Sequence, residues 1–296
     1  MTTATATVTT ATRRTPRAPS VASPRRGATR FWANLVLVII GIVFAAPLAW
    51  VVLASIDSAA TYRVAWPTDP TLDNFADVLT PELTLRPLVN SLLLSTGAAA
   101  VTVVASVLAA YPLSRYRSRF HAPFLYSVLF ASCLPITAIM VPVYSLFVQV
   151  RLINQPWAVA LFLAASALPM ALWMTKNFMD SVPVSLEEAA WVDGASAMRA
   201  LWTIVVPLMR PALSVVFVFV FLQAWGNFFV PFVLLLTPDW QPAAVSIYAF
   251  FGQYGTVAYG RLAAYSLLYS LPVLGLYLLV TRGLGGSFAL SGAVKG

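Results

Sequence analysis

Apolar positions in this chain come in long unbroken runs, unlike the alternation of a strand or the one-sided stripe of a surface helix. Six runs, at about 32–54, 89–112, 122–148, 157–178, 206–236 and 262–282, are separated by shorter polar segments. Each is near or above the roughly 20 residues that a bilayer-crossing helix needs. The pattern predicts an all-α polytopic membrane protein with six transmembrane helices. Pro135, Pro142, Pro169, Pro231 and Pro272 fall inside these runs. They do not argue against helix, because neighbouring helices can satisfy the backbone groups a proline frees. The first run is longer than the roughly 7–15-residue core of a cleaved signal peptide, and five more follow it, so it reads as a first span.

Composition agrees. Hydrophobic residues make up 60% of the 296 positions and charged residues only 9%, against roughly 25% charged in a soluble domain. The solvent for this surface must be lipid. Residues 1–30 are different: Thr, Ala, Pro, Ser and six arginines without apolar periodicity, a disordered basic tail ahead of a membrane domain over 31–296. With the tail inside, the inner segments hold 14 of the 18 basic residues and the outer ones only Arg63, Arg86, Arg151 and Arg261. By the positive-inside rule, both termini and the segment between spans four and five are cytoplasmic. The loop of about 55–88 is then external and carries Asp57, Asp69, Asp73, Asp77 and Glu82.

Several functions drop out. Cys133 and His121 are the only residues of their kinds, so no disulfide within the chain, cysteine-based metal site or histidine cluster is expected. No catalytic group, metal ligand set or cofactor site emerges. The basic residues do not form a face on a folded domain, as nucleic-acid binding would need. No span centre carries Asp, Glu, Lys or Arg. Such a charge costs at least about 2.5–3.5 kcal/mol, which ion-coupled carriers accept because the buried group runs the coupling. A self-contained secondary carrier or channel, the alternative reading, would need such groups. A membrane enzyme would need a histidine, paired acids or an activated serine in the spans. The chain has no glycine-rich phosphate loop, so ATP hydrolysis would have to come from another chain.

Two polar residues stand out in span five, Gln223 and Asn227, four apart and flanking Trp225. They could bond a sugar hydroxyl in a pathway, with Trp225 and Phe228 stacking on the ring. The favoured reading is structural, a bond to a neighbouring helix worth roughly 0.6–2 kcal/mol. Asn90 and Gln149 read as interfacial, and Cys133 as packing.

The segment between spans four and five, about 180–207, contains EEAAWVDGASAMRALWTIVVP from Glu187 to Pro207. Ser185 followed three residues later by Glu188 matches a capping box, which predicts a helix over about 186–193. Gly194 is its natural stop. A second short helix should begin near Ser196, carry Met198, Leu201 and Trp202 on an apolar stripe, and end before Pro207. Ala189 and Ala190 leave a small-residue face that another surface can approach. Glu188 fits two roles, a cap or an ionic contact, and the spacing alone does not choose.

Glu188-Ala189-Ala190, Gly194, Ile204 and Val206-Pro207 resemble the EAA signature of ABC importer permeases, with Val206 where Leu is usual. The resemblance extends to NSLLLSTGAA at Asn90, AAYPLSRYRSR at Ala109, VPVYSLF at Val141 and the closing SGAVKG. Together these are similar to the second permease subunit of carbohydrate importers of the maltose or glycerol-phosphate type. Trp225-Gly226-Asn227 departs from the Trp-Asn-acid usual there. The resemblance implies a bacterial plasma-membrane subunit without an active site, importing a sugar by alternating access. Its partners would be cytoplasmic ATPase subunits, in two copies, a companion permease and an extracytoplasmic solute-binding protein. It also implies that Glu188, Ala189, Ala190, Asp193, Gly194, Ile204 and Pro207 form the ATPase-docking loop, with Glu188 paired to a basic group of the ATPase.

Overall fold

The computed structural model describes residues 25–116, 118–251 and 257–292. Among them every regular element is helical, and extended pairing is limited to isolated bridges, Asp57 with Pro70 and Phe251 with Val257. In chain order the α-helices are α1 (Arg25–Ser55), α2 (Asp73–Val78), α3 (Arg86–Arg115), α4 (His121–Ala131), α5 (Ile136–Gln149), α6 (Pro156–Asp180), α7 (Ser185–Val192), α8 (Ala197–Ala200), α9 (Val206–Leu208), α10 (Arg210–Trp225), α11 (Phe229–Leu234), α12 (Ala243–Ser246) and α13 (Tyr259–Gly292). The described residues from Ala49 onward form one compact unit. Residues 25–48 belong to a separate unit, in which apolar side chains of α1 such as Ile42 and Phe44 are exposed. The end of the tail expected to be disordered is helical from Arg25; residues 1–24 lie outside the described residues.

Among the described residues, four helical stretches are long and apolar enough to cross a bilayer: Arg30–Ser55, Pro81–Arg115, Pro156–Asp180 and Tyr259–Arg282. A fifth is present if Ala197–Leu208 and Arg210–Trp225, bent by 80°, form one span. Six had been expected, and the difference has a local cause. The run 122–148 is two shorter helices, α4 and α5, parted at 132–135. Pro135 takes an extended conformation (ψ 128°) at the start of α5, and a proline biases the residue before it away from helix. The run 206–236 is cut at Met209, between Pro207 and Pro211, which offer no amide to the helical ladder, and again at 226–228.

The core is built on α3, which packs along α6 and α10. Small side chains allow the approach: Ala98, Ala99, Ala164, Ala167 and Ala171 are buried, and a Cβ on Gly97 would lie 3.9 Å from that of Ala160. Hydroxyls stitch the same seam. Thr102 Oγ1 donates to the carbonyl of Ala98 (2.7 Å) in its own helix and lies 3.2 Å from that of Ala164, and Ser106 meets Thr175 at 3.0 Å. Without a hydrophobic drive between helices in lipid, close small-residue packing and hydroxyl bonds are what hold such a pair.

At 1.5 Å per residue, α3 is about 45 Å long, so its termini serve opposite ends of the body. At the first end, Asn90 Nδ2 donates to the carbonyls of Asp239 (2.8 Å) and Gln241 (3.1 Å), and Ser91 accepts from the Ala243 amide. Asn154, in the left-handed region at φ 63°, accepts from the amides of Leu236 and Thr237. Asparagine tolerates that conformation. At the other end, α3 terminates at Arg115, against the segment that links α6 to α10.

Candidate functional site

The segment between α6 and α10 folds into two short helices joined by a tight turn. Pro183 follows the end of α6, and α7 then starts at Ser185. Ser185 is not the cap, which corrects the expected capping box. Val184 precedes α7 in helical conformation, and no side chain caps the helix. Backbone carbonyls already serve those amides: Val184 accepts from Glu187 (2.9 Å) and Glu188 (3.0 Å).

The other end of α7 is as expected. Gly194 has φ 84°, its amide bonds to the Trp191 carbonyl (3.0 Å), and the Ala195 amide bonds to that of Ala190 (2.9 Å). These are the two bonds of a Schellman cap, which needs a left-handed residue at the position Gly194 holds. The next helix starts as predicted, with Ser196 Oγ accepting from the Arg199 amide. It does not stop before Pro207 but runs through a wider turn (Leu201–Val205) into α9. Its apolar residues do not form one stripe: Leu201 is fully buried, whereas Met198 and Trp202 are exposed. Leu201 and Val205 pack in a cluster with Ala110 and Tyr111 of α3, Leu125 of α4 and Met179 of α6.

The signature residues divide. Glu188, Ala189, Asp193 and Gly194 are exposed on the knob and Ala190 is half-buried. Ile204 and Pro207 are half-buried where the chain rises toward the 80° bend. The acid that the fold engages is Glu187. Its side chain is fully buried, 2.6 Å from Arg115 Nε, and Oε2 accepts from the Tyr111 hydroxyl at 2.8 Å. Arg115 also donates to the Val182 carbonyl (3.2 Å) and to Ser114 Oγ (3.1 Å), and Ser114 donates to Asp180. Two adjacent acids on a helix point about 100° apart, so one faces the body and the other faces away. Sequence reading passed over Glu187; the available signal was Arg115, a charge at the end of an apolar run with no acid near it in the sequence.

The polar residues of span five are not brought together as one helical face. α10 ends at Trp225, so Asn227 lies beyond it. Asn227 Oδ1 accepts from the Val230 amide (3.0 Å), serving the first turn of α11. Gln223 is exposed on α10. Trp225 is 4% exposed and stacks on Phe221 (5.5 Å) and Tyr269 (5.3 Å). Phe228 stacks with Phe232 at 4.9 Å and Tyr248 at 5.9 Å. Cys133, expected to pack, is exposed in the break between α4 and α5.

Residues 102–284, more than half of the chain, match the family described as "Binding-protein-dependent transport system inner membrane component". The chain belongs to this family. Such a permease is a non-catalytic membrane subunit of an ABC transport system, and ATP hydrolysis is the work of partner ATPases. A putative ABC transporter permease protein of Streptomyces antibioticus is 34% identical over 77% of this chain and 99% of its own length. The trehalose/maltose transport system permease protein MalG of Thermococcus litoralis is 30% identical, covering 88% of this chain and 97% of that one. The maltodextrin permease protein MalD of Streptococcus pneumoniae is 26% identical over 92% and 98%. In fold, the permease resembles a chain of a bacterial ABC transporter involved in importing alginate, with a TM-score of 0.75 at 20% identity, covering 88% of this chain and 98% of that one.

Proposed function

We propose that this permease carries a sugar or sugar-like solute into the cytoplasm as one of two membrane subunits of an ATP-driven importer. The naming of its relatives for maltodextrin, trehalose and maltose, and sulfoquinovosyl glycerol supports the substrate class. Six crossings, with α4 and α5 together supplying one, return both termini to the cytoplasm. The tail 1–30 and the loop 180–207 then lie inside, in line with the basic residues. The loop docks on one of two ATPase subunits through Glu188, Ala189, Ala190, Asp193 and Gly194, while Ile204 and Pro207 shape its return to the membrane. Gln223, Trp225 and Asn227 stay candidates for the pathway only through Gln223, the exposed one; the other two serve packing and the turn into α11. A binding protein delivers the solute from outside, and ATP-driven closure of the ATPase pair moves the spans.

The observation that carries this reading is the knob itself. It is rigidly capped, anchored on one side by a buried ion pair, and free on the side that bears the signature. Purification of the tagged chain from its own cells, with mass spectrometry of what comes with it, tests the assignment. An ATPase chain, a second permease and a solute-binding protein are expected; a purification without any ATPase chain overturns it.

A further inference from the structure

Resting on the docking role just proposed, we infer that Tyr111, Arg115 and Glu187 form a strut through which movement of the knob reaches α3. The Arg115 side chain is 4% exposed and that of Glu187 0%. A single guanidinium ties three places: Nε to Glu187 of α7, Nη2 to the Val182 carbonyl in the turn after α6, and Nη1 to Ser114 of α3. Tyr111, one turn back along α3, holds the second Glu187 oxygen. Both oxygens are therefore tied to α3, and α7 cannot turn or slide on α3 without exposing a buried carboxylate to an unmatched site. The outward face, with Glu188, takes no part in this network.

The receiving helix is the one best placed to spread a displacement, because α3 is packed along both α6 and α10. Below Arg115 the contact continues as apolar packing of Ala110 and Tyr111 with Leu201 and Val205, which tie the second half of the knob to the same end of α3. Packed elements of this kind shift as bodies rather than deform. Arg115, Glu187 and Tyr111 are positioning residues: none has to touch solute or nucleotide.

The test uses the full complex in lipid, with Cys133→Ser as background and a fluorophore coupled by azide–alkyne chemistry to an azide-bearing residue introduced at Val104, a half-exposed position of α3. Three quantities are read without any solute: recovery of the ATPase subunit, ADP trapped by vanadate, and the change at position 104 on trapping. Arg115→Lys keeps the charge but lacks the planar fork, and Tyr111→Phe removes only the hydroxyl. Both should leave recovery and trapping at wild-type level and cut the response at 104, by about tenfold if the lost coupling is of the size found between contacting residues. Arg115→Cys with Glu187→Cys should lose the response and regain it when a short bis-thiosulfonate bridges the two thiols. A strut that only stabilises the fold would instead lower recovery and trapping together. The inference is overturned if 104 does not respond in the parent complex, if the response survives the unbridged pair, or if bridging fails to restore it. Loss of ATPase recovery in the parent complex would instead sink the docking role on which the strut rests.

Discussion

Replacing Gly194 separates backbone strain from side-chain crowding at the turn of the knob. Its φ of 84° is the left-handed conformation, and a Cβ added there meets nothing within 4 Å. Whatever a substitution costs is therefore local strain and not a clash. An L-residue pays roughly 1–2 kcal/mol for that conformation. Asparagine pays less, and a β-branched residue more because its branch crowds its own backbone. Against this stand the two cap bonds, to Trp191 at 3.0 Å and Ala190 at 2.9 Å, each worth about 0.5–1.5 kcal/mol net. The strain from alanine is thus comparable to one cap bond, and that from valine approaches both. At 1.4 kcal/mol per tenfold, Gly194→Ala should raise opening of the cap about 5- to 30-fold. Hydrogen exchange of the Gly194 or Ala195 amides reads the opening, and recovery of the ATPase subunit reads its consequence. The expected order of protection is Gly, Asn, Ala, Val. Equal protection in Gly194→Val and the parent protein would refute the cap. Gly194→Asn as damaging as Gly194→Val would show that space, not φ, is limiting.

Other positions give independent checks. Glu188→Gln should leave the permease inserted and folded but weaken ATPase association, since a charge-assisted bond is about twice as strong as a neutral one; unchanged association and coupling would shift docking to the apolar surface around Met198 and Trp202. Gly260→Ala would place a Cβ 2.6–2.8 Å from the Asn74 amide group, whose nitrogen bonds the carbonyls of Ser55 and Asp57. It should lower thermal stability by about 1–3 kcal/mol for the displaced bonds, less so in an Asn74→Ala background; an unchanged melting temperature would count against the packing described. For topology, cysteines at Ser185 and Thr71 in a Cys133→Ser background should show labelling of intact cells by an impermeant thiol reagent at Thr71 and not at Ser185, the reverse outcome inverting the orientation.

Much of this was legible in the sequence because membrane helices announce themselves by length and apolarity. α3, α6 and the apolar part of α13 lie close to the runs that predicted them. The breaks were less legible. Hydropathy averages over a proline, so 122–148 and 206–236 read as single spans although Pro135, Pro207 and Pro211 divide or bend them. At the knob, Gly194 and Ser196 were readable because turn chemistry is local. The Ser185 cap was misread because a nearby backbone carbonyl can replace a side-chain acceptor without leaving a mark in the sequence. Glu187 was missed for the opposite reason: its partners lie 72 and 76 residues away, and nothing local tells a buried acid from its exposed neighbour.

That pair of acids also shows what a buried charge accomplishes here. Stability is a weak explanation for the Arg115–Glu187 pair, because desolvating two ions costs about as much as their attraction returns, and a well-packed apolar pair often does as well. An apolar contact, however, tolerates sliding and small rotations. A carboxylate held by a guanidinium on one oxygen and a phenol on the other does not. With Glu187 directed inward, the roughly 100° turn between successive helical residues sends Glu188 outward, and the cap at Gly194 prevents α7 from continuing past the turn. The ion pair therefore sets the rotation of α7 and the glycine sets its length. Reversing Arg115 and Glu187 should accordingly preserve the rotation better than replacing both with Leu and Met, even where the apolar pair gives the higher melting temperature. Hydrogen exchange along α7 and the response at position 104 on trapping decide between them, and an apolar pair that matches the parent protein in both would show that packing alone orients the knob.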